Sequence, residues 1–107
     1  MKIVKRRYLA VQIDSHETFN SREFMEAVWG AISKLFGEYG ASQAGLSLVD
    51  YDGTNNIVVM RTWHKTVEMV RTALASITKI LDKPVALHVL AVSGTIKALH
   101  RKLETIH

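Results

Sequence analysis

Lys5-Arg6-Arg7-Tyr8-Leu9-Ala10-Val11-Gln12-Ile13 runs from three consecutive cations straight into an alternating apolar stretch. At the two-residue period of a strand, Leu9, Val11 and Ile13 share one face and suit a core. Tyr8, Ala10 and Gln12 share the other, where Tyr8 and Gln12 suit solvent or a partner. A strand that enters the core directly from a basic arm ties the folded unit to an anionic partner, and a polyanion is the first expectation.

Working outward from that strand, Asp14 to Thr18 is polar and reads as a loop. Asn20 with Glu23 three residues on has the form of a capping box. Phe24, Val28, Ile32 and Leu35 then recur at helical spacing beside Met25, Trp29 and Phe36, and the aromatic residues Trp29 and Phe36 read as core. Gly37 and Gly40 are expected to end this helix. Gly45 to Val49 reads as a second strand, Tyr51 to Asn56 as a turn, and Ile57 to Trp63 as the returning strand of a hairpin. Asp50 and Asp52, at the start of that turn, are read as solvated acids, not a metal pair.

A second helix is predicted from about Lys65 to Leu81, capped by His64 or Thr66, with Val67, Val70, Leu74, Ile77 and Leu81 as its inner stripe. Pro84 stops it and opens a last strand, Val85 to Val92. Ser93-Gly94 leads into a closing helix with a stripe of Ile96, Leu99, Leu103 and Ile106 and a polar side of Lys97, His100, Arg101 and Lys102. The order β-α-β-β-α-β plus a terminal helix predicts an α+β fold. It is the split βαβ, ferredoxin-like and RRM-like arrangement, an antiparallel sheet with both long helices on one face.

The 107 residues make one domain, 1–107, with a hydrophobic fraction of 48% and no cysteine. Disulfides and thiolate metal sites are thereby excluded, and a cytoplasmic location with no membrane association is expected. Charge is unevenly placed: residues 1–13 carry a formal +4, residues 14–60 carry −5 and residues 61–107 carry +5, which together give the net +4. One side facing a polyanion and another facing something else is the physical reading.

Catalytic groups are sparse. The histidines at 16, 64, 88, 100 and 107 have no metal-ligand spacing, and neither a Ser-His-Asp pattern nor a glycine-rich phosphate loop is present. No catalytic residue and no protein-bound metal is therefore assigned. RNA-binding modules of this topology stack bases on aromatics of the first and third strands. Here only Tyr8 and Trp63 stand at the ends of those strands, with Val58, Val59 and Met60 between. Recognition through charge and backbone shape is favoured over base stacking. Ser93, Gly94 and Thr95 form a candidate phosphate-binding helix start, with Lys97 just beyond; on these three residues alone a simple cap is the better reading, and the company of the basic arm is what lifts the site.

Taken in order, Arg6-Arg7-Tyr8-Leu9, Phe36-Gly37, Tyr39-Gly40-Ala41, Ile57-Val58-Val59-Met60-Arg61, Leu74 with Ile77-Thr78, and Val92-Ser93-Gly94-Thr95-Ile96-Lys97 resemble the ribonuclease P protein component 2 family in its archaeal form. That family includes the small RRM-like subunit of ribonucleases P and MRP. The resemblance implies a subunit of a ribonucleoprotein endonuclease that removes 5′ leaders from precursor tRNA. In it the ribonuclease P RNA carries the active site and the magnesium. It also implies pairing with ribonuclease P protein component 3 and self-association of two such pairs into a heterotetramer. RNA contact falls on Lys5, Arg6, Arg7, Arg61, Arg71, Lys97, Arg101 and Lys102, and a protein-facing surface is expected at Leu48, Val58 and Met60. The competing expectation is a ferredoxin-like regulatory domain that binds a small ligand as a dimer, with a pocket at a sheet interface.

Overall fold

Residues 5–106 are described by the computed structural model; His107, and the side chain of the stripe residue Ile106, lie outside them. Strand β1 (Arg6–Asp14) is flanked on both sides, because the main sheet runs β2-β3-β1-β6 with every pairing antiparallel. Its neighbours are β3 (Ile57–Trp63) and the edge strand β6 (Ala86–Ser93), and β2 (Ser47–Asp52) forms the other edge. Helices α1 (Ser21–Gln43) and α2 (Val67–Ser76) cover one face, and α3 (Ile96–Ile106) lies on the other. The expected α+β, ferredoxin-like fold is the one observed.

Alternation along the strands divides the apolar residues between two cores. Under α1 and α2, Leu9, Val11 and Ile13 meet Val58 and Met60 of β3 and Phe24, Val28, Ile32, Val70 and Leu74 of the helices, all buried. Each such fully buried large side chain contributes roughly 1.5–3 kcal/mol of transfer free energy. On the opposite face the core is small: Ala10, Val59 and Leu99, with Tyr8, Ile57, Leu90, Ala91 and Leu103 half-buried around them. Among the described side chains, Leu99 and Leu103 are the ones that hold α3 to this core.

The helix starts follow the sequence closely. The Asn20 side chain accepts from the Glu23 N–H at 2.8 Å, and the Glu23 carboxylate accepts from the Asn20 N–H at 2.9 Å, which closes the capping box. Thr95 caps α3, its hydroxyl accepting from the Ala98 N–H at 3.1 Å.

Several expectations are corrected. Gly37 (φ 80°, ψ 170°) breaks α1, but the chain resumes its helical course to Gln43. Gly40 sits inside that last piece, buried, where a Cβ would come within 2.8 Å of the Phe36 Cβ. Trp29 and Phe36 are not core: they are 45% and 41% exposed. Trp29 follows the buried Val28 by one residue, about 100° round the helix, and so leaves the stripe.

Tyr51 and Asp52 belong to β2 and not to the turn. The Tyr51 ring meets Phe24 edge-on at 6.4 Å between centroids and its hydroxyl donates to the Phe19 carbonyl. Asp52 then organises the turn that follows, accepting from the Thr54 and Asn55 N–H groups at 3.0 and 3.2 Å.

The second long helix is shorter than predicted. A single 3₁₀ turn, His64–Thr66, precedes α2, and beyond Ser76 the chain becomes extended at Ile77. A tight hairpin follows, β4 (Lys79–Ile80) against β5 (Lys83–Pro84), with Leu81 and Asp82 both at positive φ. Leu81, assigned to the inner stripe, is 61% exposed at the hairpin tip.

Candidate nucleic-acid interface

The start of β1, the end of β3 and the end of β6 lie side by side, because Arg6 pairs with Trp63 and Tyr8 pairs with both Arg61 and Ser93. Sequence-distant cations therefore converge on one corner of the sheet. The corner is fixed by backbone bonds: the His64 N–H donates to the Lys5 carbonyl at 2.7 Å. Arg7 projects toward the β6–α3 junction, its guanidinium 3.4 Å from where a Cβ on Gly94 would stand. Gly94 thus leaves room for that side chain.

Helix α3 adds Lys97 in its first turn and Arg101 and Lys102 further on, all exposed. The Lys102 ammonium donates to the Val92 carbonyl at 2.6 Å, which draws it back to the end of β6. Arg61 stands on the same face as Tyr8. Among the described residues no carboxylate lies within ion-pair distance of Lys5, Arg6, Arg7, Arg61, Lys97, Arg101 or Lys102. The paired lysine and arginine side chains are elsewhere: Arg22 with Glu26 (3.1 Å), Arg71 with Glu68 (4.0 Å) and Lys83 with Glu17 (4.0 Å).

Two assigned groups, Arg71 and the Leu48, Val58 and Met60 set, do not join this corner, and a third, Ser93-Gly94-Thr95, lies at it as structure. Arg71 lines a shallow cleft with Leu87, His88 and Val89 on the helix side. Those β6 residues pair with Val11, Gln12 and Ile13, so Arg71 is some four to six strand positions, about 13–20 Å, from the Arg7 end. Ser93 is buried at the end of β6, and Thr95 already spends its hydroxyl on the cap, so the Ser-Gly-Thr segment is foremost a strand-to-helix junction. Val58 and Met60 are fully buried beneath α1 and α2, and Leu48 packs half-buried against the same core, so none of the three offers the protein-facing surface expected of it. Alternation places Val58 and Met60 inward once Leu9 and Val11 face the helices.

Sequence reasoning missed the surface that is apolar and open. Leu35 (47% exposed), Phe36 and Tyr39 (78%) lie around the Gly37 break on α1. It also separated residues that the register unites: Arg6 lies over the Trp63 ring at 4.9 Å from the centroid, and Tyr8 stands opposite Arg61. The two-residue spacing of Arg6-x-Tyr8 and Arg61-x-Trp63 was the available signal, but only the register shows that the two pairs are neighbours.

No three histidine or acidic side chains among the described residues gather where they could hold a metal ion. His88 is on an edge strand beside Asp14 at 4.0 Å, exposed. An open cleft of about 540 Å³ separates α1 from the β4–β5 hairpin. It lies on the helix layer and not at a sheet interface. No helix among the described residues is long and apolar enough to cross a membrane.

A ferredoxin-like α+β domain that presents a basic corner of its sheet is the class that fold and site define. Residues 7–104 match the model of the Rpp14/Pop5 family, and the chain belongs to that family. It is 36% identical over 98 residues to ribonuclease P protein component 2 of Pyrococcus furiosus, covering 92% of this chain and 82% of that one. To the protein of the same name from Methanosarcina mazei it is 32% identical, covering 92% and 83%. The fold is also similar to a chain in the cryo-EM structure of yeast ribonuclease MRP, with a TM-score of 0.71 over 99% of this chain and 96% of that chain at 12% identity.

Proposed function

We propose that this chain is a non-catalytic, RNA-binding protein subunit of ribonuclease P that supports the catalytic RNA in removing 5′ leaders from precursor tRNA. The observation that carries this reading is the corner where Lys5, Arg6 and Arg7 enter β1, Arg7 reaching the β6–α3 junction, with no carboxylate among the described residues within ion-pair distance of them. Such cations screen phosphates, releasing condensed counterions as they do so. Their role is to neutralise and position RNA, while hydrolysis and its magnesium belong to the RNA.

Membership of the Rpp14/Pop5 family and the relatives named ribonuclease P protein component 2 support the assignment to this assembly. The protein partner is ribonuclease P protein component 3, and Leu35, Phe36 and Tyr39 form the exposed apolar surface suited to it. Exposed aromatic and aliphatic groups clustered this way mark protein contacts. Self-association of two such pairs into a heterotetramer and a cytoplasmic location complete the reading.

The test is reconstitution. Catalytic RNA, magnesium and the partner proteins are mixed with and without this chain, and precursor-tRNA cleavage is followed. Activity is expected to fall when the chain is omitted, most at low magnesium; no change at any magnesium level overturns the proposal, as does leader cleavage by the purified, RNA-free chain. In the same assay, replacing Lys5, Arg6 and Arg7 together by alanine lowers the salt slope of RNA binding by ~2–3 without unfolding the domain. An unchanged slope removes the arm from the interface.

A further inference from the structure

The two cross-strand pairs at the sheet corner form a checkerboard. Arg6 and Trp63 are directly opposite, as are Tyr8 and Arg61, and all four side chains lie on the face that α3 only partly covers. Aromatic rings therefore occupy one diagonal and guanidinium groups the other, with diagonal neighbours about 7–8 Å apart or less. The indole is held in place: its Nε1 edge rests on Gly45, where a Cβ would come within 2.1 Å, and Gly45 has φ +56°. Over the ring lies the exposed Arg6 guanidinium, 4.9 Å from the centroid. Trp63 is itself only half-buried.

Helix α3 decides where on this face a ligand could sit. Leu99 packs on Ala10 and Val59 and closes the middle of the sheet. The open part is the corner beyond it, at the entry of β1 and the exit of β3. A pre-positioned, half-exposed indole flanked by two arginines that have no acidic partner among the described residues has the chemistry to take a flat aromatic ring and the phosphates on either side of it. Stacking tolerates any base, since each has a π-face, and Arg6 can leave the indole for a phosphate when a base arrives. A base within a duplex is already stacked on its neighbours and is not presented to such a surface.

We propose that Trp63, with Tyr8 beside it and Arg6 and Arg61 between, is a stacking site for an unpaired nucleotide of RNA. This rests on the RNA-binding reading and adds to it the structural state of the RNA: looped or single-stranded at this corner, however it is paired where only phosphates are touched.

Trp29 and Trp63 are the chain's two tryptophans. In the Trp29→Phe chain, indole emission reports Trp63 alone. Titration with a uridine-rich single-stranded oligonucleotide is expected to quench it, and titration with a blunt RNA duplex is expected to leave it unchanged while anisotropy of the labelled duplex still rises. Trp63→Leu should weaken binding of the single strand by about tenfold and leave duplex binding as it was. Trp63→Phe, which keeps a ring, should retain most of the affinity and guards against loss of folding, checked by circular dichroism. Arg6→Lys should keep the salt slope yet lose part of the single-strand preference.

Quenching that is absent, or equal for single strand and duplex, overturns the stacking site while leaving phosphate contact intact. An emission change on adding the partner protein and none with either RNA overturns it in favour of a protein contact. If neither RNA binds the unmodified chain at low salt, the RNA-binding reading fails, and the stacking site with it.

Discussion

The two faces of the sheet are made by the same strands and have opposite characters. Toward α1 and α2, Leu9, Val11, Val58 and Met60 are fully buried in a continuous core that reaches Phe24, Ile32 and Leu74. Toward α3 the buried set shrinks to Ala10, Val59 and Leu99, and at the corner the same alternation delivers Arg6, Tyr8, Arg61 and Trp63. One face holds the molecule together; the other is left free to carry charge and aromatic surface. Small residues at the centre of the second face let α3 sit close without enlarging the core.

The largest effect separating the faces is expected from Phe24→Ala, which opens a cavity under α1 and should cost about 3–5 kcal/mol in urea unfolding. RNA affinity of the folded fraction should not change; a loss of affinity larger than the loss of folded protein would break the division. Leu99→Ala acts on the thin core and should cost about 2 kcal/mol, the lower end for such truncations. Hydrogen exchange should show α3 losing protection while β1 keeps it, and RNA binding should weaken as Lys97, Arg101 and Lys102 come loose. Equal loss of protection in β1 would mean the two cores act as one.

Gly45→Ala tests the join between the faces. Its positive φ and the close indole together should cost about 1–3 kcal/mol, with a shift in Trp63 emission as the ring is displaced. The smallest effect is one of pH. Burial, with some help from the charge on Glu23, raises the Tyr51 phenol above its ordinary 10.0. The folded state thus favours the neutral hydroxyl that bonds to Phe19: its stabilisation is intact below pH 10.0 and is lost as pH rises toward the higher folded value. The alkaline slope of stability should be shallower in Tyr51→Phe, and an identical slope would remove Tyr51 as its source.

How far the chain could be read in advance varied with what each signal depends on. The Asn20–Glu23 capping box, the β2–β3 hairpin and the α+β order are local chemistry, and they were legible. So was the inward direction of Leu9, Val11 and Ile13. Pairing was not: without the register, Val58 and Met60 looked as free to face a partner as Trp63. The β4–β5 hairpin was hidden because Leu81 and Asp82 occupy positions where a tight turn ordinarily signals itself with glycine or asparagine. Gly37 was legible as a break but not as one the helix survives. Lys5, Arg6, Arg7 and Lys97 were singled out by charge and neighbourhood, whereas the Arg6–Trp63 stack depends on residues 57 positions apart becoming neighbours.

Strand β6 has a hydrogen-bonded neighbour on one side only, and its sequence from Ala86 to Ser93 is almost wholly apolar. A flank of that kind invites fibril growth unless something interrupts it. Leu90 is the surplus residue where the β1–β6 register slips, and the kink it introduces divides the outer flank into two runs of three or four residues. Short, kinked flanks of this kind are poor templates for a foreign chain, so deleting Leu90 is expected to raise fibril formation, read by thioflavin fluorescence.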